Sequence, residues 1–225
     1  MYPSVVISCE HAGNQVPDEY IHLFKDDPEI LQTHRGWDPG AWPLAQFFAT
    51  SLQTSCIGCE STRLLIEANR SEDSLELFSA FSKKLLPEQK EKLYKEIYQP
   101  YRNQLRGMIE VAKKPVLHLS IHSFTPIWNG KERAVDIGIL FDPDKKSEAD
   151  YSARLKHTLE KELADFKIRF NEPYRGTDDG ITTWLRNFYP ENIYTGIELE
   201  VNQKFASDLI RIQNPILNAI KASLN

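Results

Sequence analysis

A three-layer α/β/α domain on a largely parallel sheet is the fold the sequence predicts, on three observations. Short β-branched and aliphatic runs alternate with stretches of helical periodicity along the chain, the pattern of strand–helix–strand units. Turn-forming clusters separate these stretches, with no internal repeat, low-complexity tract or linker. The 225 residues, 41% hydrophobic and 26% charged, suit a single domain over 1–225 whose core buries most of its apolar surface.

The elements follow in order. Residues 5–9 form a β-branched run that ends at Glu10-His11-Ala12-Gly13, a strand entering a loop. Residues 36–40 are turn-rich and lead into a helix over 41–52, where Leu44, Ala45, Phe47, Phe48 and Leu52 recur at helical spacing. Residues 63–67 read as a second strand, closing on Asn69-Arg70. Leu93, Ile97, Tyr101, Leu105 and Ile109 repeat every four positions and predict a long helical region over 87–113, broken or kinked near Pro100. Strands are expected at 116–121 and 134–141, then an amphipathic helix over 151–166 carrying Leu155, Leu159 and Leu163. A loop rich in Gly, Pro, Asp and Asn covers 171–180. A last strand at 193–201 precedes a C-terminal helix with Leu209, Ile210, Ile216, Leu217 and Ile220.

Charge and composition exclude several classes. The net charge is -5, from 27 basic and 32 acidic residues without a Lys/Arg block, so phosphate neutralisation and nucleic-acid binding are not expected. No run approaches the ~18–20 apolar residues that cross a bilayer. Met1-Tyr2-Pro3-Ser4 leads directly into the first strand without a basic or long apolar leader, so no signal peptide is expected. Cys56-Ile57-Gly58-Cys59 is a C-x-x-C, but only Cys9 remains to pair with it, and inert reduced thiols in a soluble cytoplasmic protein fit best. No G-x-G-x-x-G or G-K-[ST] occurs, which argues against a nucleotide site.

Ligands in such sheets sit at the carboxyl ends of strands. Those ends carry Glu10 and His11; Glu67, Asn69 and Arg70; Ser120, His122 and Ser123; and Glu198, Glu200 and Asn202. In residues 116–122 the even positions after Val116 are His118, Ser120 and His122 and the odd ones aliphatic, and residues 197–202 repeat the alternation with Glu198 and Glu200. A half-solvated strand would look the same. Histidines and carboxylates together at strand ends are also what a catalytic zinc requires: three protein ligands and one open position.

The segments Ser8-Cys9-Glu10-His11-Ala12-Gly13, Trp37-Asp38-Pro39-Gly40-Ala41, Glu67-Ala68-Asn69-Arg70 and Ser120-Ile121-His122-Ser123-Phe124 resemble the sequence marks of the N-formylglutamate amidohydrolase family. Asp136-Ile137-Gly138-Ile139-Leu140 and Glu198-Leu199-Glu200-Val201-Asn202 extend the resemblance over most of the chain. More distantly, the Ser-Ile-His-Ser, Asn-Arg and late Glu segments are similar to zinc carboxypeptidases. The resemblance implies a phosphorylase/hydrolase-like fold of the zinc-carboxypeptidase type, with a mixed sheet, and a Zn2+ cofactor.

It also implies roles. His11 and His122 match two metal ligands. The carboxypeptidase third ligand lies three residues after the first histidine, where this chain has Asn14, so Asp38 is favoured over Glu10 to complete the set. Glu200 resembles the general base, with Glu198 the alternative. Asn69 and Arg70 match a pair that holds a substrate carboxylate, and Arg63 an arginine that polarises the scissile carbonyl. His34 reads as a neighbour of the ligands or a substrate contact, and Arg133 and Arg175 as further contacts for an anionic substrate. His22, His118 and His157 read as structural or solvated. The implied activity is hydrolysis of N-formylglutamate to formate and glutamate. Another N-acyl amino acid or a peptide is the alternative substrate, and a non-catalytic metabolite-binding relative the alternative class. The expected partner is a small molecule, with neither nucleic acid nor membrane, and the oligomeric state is left open.

Overall fold

The alternating elements assemble into one six-stranded sheet in the computed structural model, which describes Tyr2 and residues 4–224. Met1 and Pro3, part of the segment expected to lack a leader, lie outside the described residues. In chain order, β1 (Ser4–Cys9) is followed by α1 (Ala41–Leu52), β2 (Ser55–Gly58), α2 (Pro87–Leu93), α3 (Gln99–Val111) and β3 (Val116–Phe124). The hairpin β4 (Ile127–Trp128) and β5 (Lys131–Glu132) precedes β6 (Ile137–Leu140), α4 (Lys146–Glu162) and β7 (Ile168–Phe170). The chain ends with α5 (Ile181–Arg186), β8 (Tyr194–Asn202) and α6 (Ile210–Ser223).

The strand order is β2-β1-β3-β8-β6-β7. All neighbours are parallel except β6, which runs antiparallel to β8. The predicted mixed, largely parallel α/β sheet is thus the observed one. The odd-numbered residues of β3 and β8, Leu117, Leu119, Ile121, Ile197, Leu199 and Val201, pack with α1, α4 and α6 in the largest core cluster. Val116 and Tyr194, at even positions, pack with Tyr101 and Leu105 of α3 and Ile181 and Leu185 of α5.

Every residue of β3 and β8 is buried, so the alternation of polar and aliphatic side chains does not mark a half-solvated strand. The polar face is an internal column whose members bond to one another. His118, fully buried, is hydrogen-bonded to Ser8 Oγ at 2.8 Å and to Tyr194 Oη at 2.7 Å. Burial holds its pKa down to about 4, against the ordinary 6.5. The unfolded chain therefore takes up this proton near pH 6.5 and the fold only near 4. The contribution of His118 is complete above pH 6.5 and is lost as the pH falls toward 4, about 3 kcal/mol in all. Urea unfolding of the wild type and His118→Gln at pH 7 and pH 4.5 should show the difference between them shrinking in acid; a pH-independent difference would contradict this.

Two local expectations are corrected. Residues 63–67 form turns rather than a strand, because Leu64, Leu65 and Ile66 bury into a separate cluster with Tyr20, Phe24, Leu77 and Leu93. The edge strand next to β1 is instead β2, which contains the C-x-x-C. The interruption expected near Pro100 is a π turn just before the proline rather than a break. A π turn over Tyr94–Tyr98, closed by Gln99 N–H donating to the Tyr94 carbonyl, leads into α3 with Pro100 in its first turn, where a missing N–H costs least. Cys9, Cys56 and Cys59 are free thiols, and burial pushes Cys56 and Cys59 up to about 12, so both stay protonated. Among the described residues, no helix is long and apolar enough to cross a membrane.

Candidate active site

Three separate elements deliver His11, Asp38 and His122 to one point. His11 stands two residues beyond β1, where the chain has left the sheet. Asp38 comes from the Trp-Asp-Pro-Gly turn before α1, anchored by its backbone N–H donating to the His11 carbonyl at 3.1 Å. Gly40 ends that turn at φ +86°, in the left-handed region, and a Cβ there would lie 3.2 Å from Ala206. His122 belongs to the polar face of β3. All three are at most 3% exposed. Nδ1 of His11 and Nδ1 of His122 lie 3.2 and 3.0 Å from the same Asp38 Oδ2, and one donor atom from each residue falls within 4.8 Å of the others.

The outward nitrogens meet two more carboxylates. His11 Nε2 donates to Glu67 Oε1 at 2.5 Å, and His122 Nε2 is 3.0 Å from Glu10 Oε2. Glu10 accepts from Tyr101 Oη at 2.6 Å and from Ser120 Oγ. Arg63 binds Glu67 at 2.6 Å and approaches Asp38 Oδ1 at 3.4 Å. Burial alone would raise all three carboxyls. His122 with Ser120 and Tyr101 at Glu10, Arg63 with His11 at Glu67, and both histidines at Asp38 outweigh it and hold all three well below the usual range. Burial would likewise lower the histidines, but their carboxylate partners raise both.

This charge balance is the test of whether a metal fits. Three buried carboxylates face one guanidinium, so two more positive charges are required; protons on both rings supply them, and so does one divalent cation. Two imidazoles and a carboxylate, with Glu67 hydrogen-bonded behind the His11 ring and Glu10 beside the outward nitrogen of His122, are a donor set suited to zinc. Glu10, the alternative third ligand, instead sits behind His122. Asn14 donates to the Leu31 carbonyl at 2.8 Å and takes no part.

The triad opens into a cavity of about 780 Å³, also lined by Arg63, Asn69, Arg70, Glu198 and Glu200. Glu200 pairs across the sheet with His122, and its Oε2 is buried without a hydrogen-bond partner. Burial, with Asp38 and Glu198 nearby, pushes its pKa up to about 7. Glu198 accepts from Thr182 Oγ1 at 2.5 Å. Gly138, opposite Glu200 on β6, leaves no room for a side chain: a Cβ would stand 2.1 Å from the Glu172 carbonyl oxygen and 3.2 Å from Glu200 Cβ. Gly138→Ala is therefore expected to destabilise the protein by about 1–3 kcal/mol. A thermal melt unchanged from wild type would refute that.

The other candidates divide. Asn69 Oδ1 accepts from Ile181 N–H at the start of α5 at 2.7 Å. Arg70 reaches Glu76 at 3.0 Å and the Asp179 carbonyl at 2.9 Å. Arg63, expected at the scissile carbonyl, is committed to Glu67 and Asp38. His34 and Arg175 line the cavity without joining the triad. Arg133 stands beside the wall formed by Phe124, Trp128 and Tyr174. Sequence reasoning assigned no role to Glu67, Tyr101 or Ser120; the available signal for Glu67 was an acid directly after the apolar run Leu64-Leu65-Ile66.

The N-formylglutamate amidohydrolase family model matches residues 3–206. Among solved structures, gene product Atu2144 from Agrobacterium tumefaciens superposes with a TM-score of 0.83 at 23% identity, covering 99% of this chain and 90% of that one, and so shares the fold. The CwlD amidase from Clostridioides difficile, in complex with the GerS lipoprotein, gives a TM-score of 0.47 at 11% identity, covering 98% and 95%. No curated protein matches the chain.

Proposed function

The chain belongs to the N-formylglutamate amidohydrolase family, and from that premise we propose that it is a zinc-dependent hydrolase of N-acyl amino acids, with N-formylglutamate as the first substrate to test. One observation carries the reading: the buried, unpartnered Glu200 carboxyl lies in the same cavity as the two Nδ1 atoms gathered on Asp38. His11, Asp38 and His122 would hold the ion, with Glu67 fixing the His11 ring with Nδ1 inward and Glu10 facing the outward nitrogen of His122. Bound zinc supplies Lewis acidity, lowering the pKa of water toward ~7 and polarising a carbonyl.

The chain's residues do the rest. Glu200, buried in the same cavity without a hydrogen-bond partner, takes the proton of the attacking water and returns it to the departing amine. Arg63, held against Glu67 and Asp38, keeps the carboxylates beside the histidines ionised and adds positive potential where charge develops on the amide oxygen. Arg70 and Asn69 orient the substrate by its α-carboxylate. For N-formylglutamate the products are formate and glutamate.

A cavity of this size also admits larger acyl groups, which makes other N-acyl amino acids the second reading. Metal analysis of protein purified without chelator, followed by formate release from N-formylglutamate beside acetyl and succinyl analogues, separates these. Folded protein that carries no transition metal and hydrolyses none of the three after zinc is added would overturn the enzymatic reading and favour a non-catalytic metabolite binder. A cytoplasmic location is part of the same proposal.

A further inference from the structure

Arg102 of α3 carries a charge that the fold buries without neutralising. The residue is only 3% exposed. Its guanidinium packs against two rings, 4.8 Å from the centre of Tyr98 and 4.2 Å from that of Trp184 on α5. Nη1 donates to the Arg70 carbonyl and to Tyr98 Oη, whereas Nε and Nη2 have no partner. Among the described residues Arg102 makes no ion pair. The acids whose charge reaches it are bonded elsewhere: Glu10 accepts from Tyr101 and Ser120, and Asp179 from Ser71.

Fold stability gives no reason for a cation at this point. A buried guanidinium without a carboxylate is costly, and aromatic rings offset only part of that cost. Burial lowers its pKa, yet a guanidinium stays charged in a protein. The Arg70 carbonyl does not depend on it either, because Tyr98 Oη already donates there at 2.7 Å. What a second, charged donor adds is a stronger hold on the turn over 67–70. That turn belongs to no strand or helix. Within it Arg70 N–H donates to the Glu67 carbonyl at 3.1 Å, and Asn69 Oδ1 accepts from Ile181 N–H, at the start of α5, at 2.7 Å. Arg102 touches both sides of this contact, the turn through the Arg70 carbonyl and α5 through the Trp184 ring.

We infer that Arg102 is a positioning residue for substrate binding: it clamps the 67–70 turn against α5 and so fixes the direction in which Asn69 and Arg70 meet the substrate, at a cost in stability that a neutral side chain would not carry. The inference rests on the assignment of Asn69 and Arg70 to substrate binding, and not on the hydrolytic step.

Zinc-loaded wild type, Arg102→Met, Arg102→Lys and Tyr98→Phe are compared in formate release from N-formyl-L-glutamate, zinc content and thermal melting. Arg102→Met should raise KM about tenfold while kcat and zinc content hold and the melting temperature stays at or above that of wild type. Arg102→Lys should recover part of the KM, and Tyr98→Phe, which leaves the charged donor in place, should change it less. Unchanged KM in Arg102→Met, failure of that variant to fold, or a joint worsening of KM, kcat and melting temperature, as for a purely structural residue, would overturn the inference. Calorimetry with N-acetyl-L-glutamate, in a Glu200→Gln background that suppresses turnover, separates it from the hydrolase reading. Binding about tenfold weaker with Arg102→Met, in a protein whose wild type turns over no N-acyl amino acid, would sustain the positioning role and remove the hydrolase reading. Equal binding with and without Arg102 overturns the role, and binding by neither protein overturns both.

Discussion

His122→Ala should yield protein whose zinc content falls far below one ion per chain and whose amidase activity drops to background. The reason is geometric: the His122 Nδ1 and His11 Nδ1 atoms share one Asp38 oxygen, and two donors cannot close a site that catalytic zinc holds with three. The variant should also be less stable without added metal. His122 faces Glu10 and Asp38, both buried, and removing it strands two carboxylates, at a cost of about 3–5 kcal/mol. Stoichiometric zinc in folded His122→Ala, measured by elemental analysis, would show that the ligand set is wrong.

Glu200→Gln should behave differently. The metal should remain and the fold should hold, because the Glu200 Oε2 atom has no partner to lose and its carboxyl sits in a pocket that favours the neutral form. Turnover should fall by about 10²–10⁴-fold, the usual contribution of a positioned acid–base group, with little change in KM. Glu198→Gln should cost far less kcat, since Glu198 is tied to Thr182. If Glu200→Gln retains full activity while Glu198→Gln loses it, the base is Glu198.

The sheet was legible because local pattern and global position agree there. The apolar faces of residues 5–9, 116–121 and 193–201 have only one way to be buried, and helices of the right period lie between them. Residues 63–67 misled for the same physical reason: an aliphatic run reports burial, not the geometry in which it is buried. β2 and β7, of four and three residues, are too short to carry a period, and the turn to α5 depends on Asn69, distant in sequence.

The alternation of His118, Ser120 and His122, and of Glu198 and Glu200, put the right residue types on one face of adjacent strands, because side-chain direction in a strand is local. Which of them touch is not local. Asp38 instead of Glu10 lies between the two Nδ1 atoms because a turn 27 residues after His11 folds back onto it. Glu67 reaches His11 across 56 residues, and Tyr101 reaches Glu10 across 91. The split between Glu198 and Glu200 likewise arose from packing, as Thr182 bonds one carboxyl and burial leaves the other bare. By itself the sequence determined the fold class and the chemical inventory of the cavity. The partners, and with them each group's charge, were decided only when the tertiary structure brought distant segments together and excluded water between them.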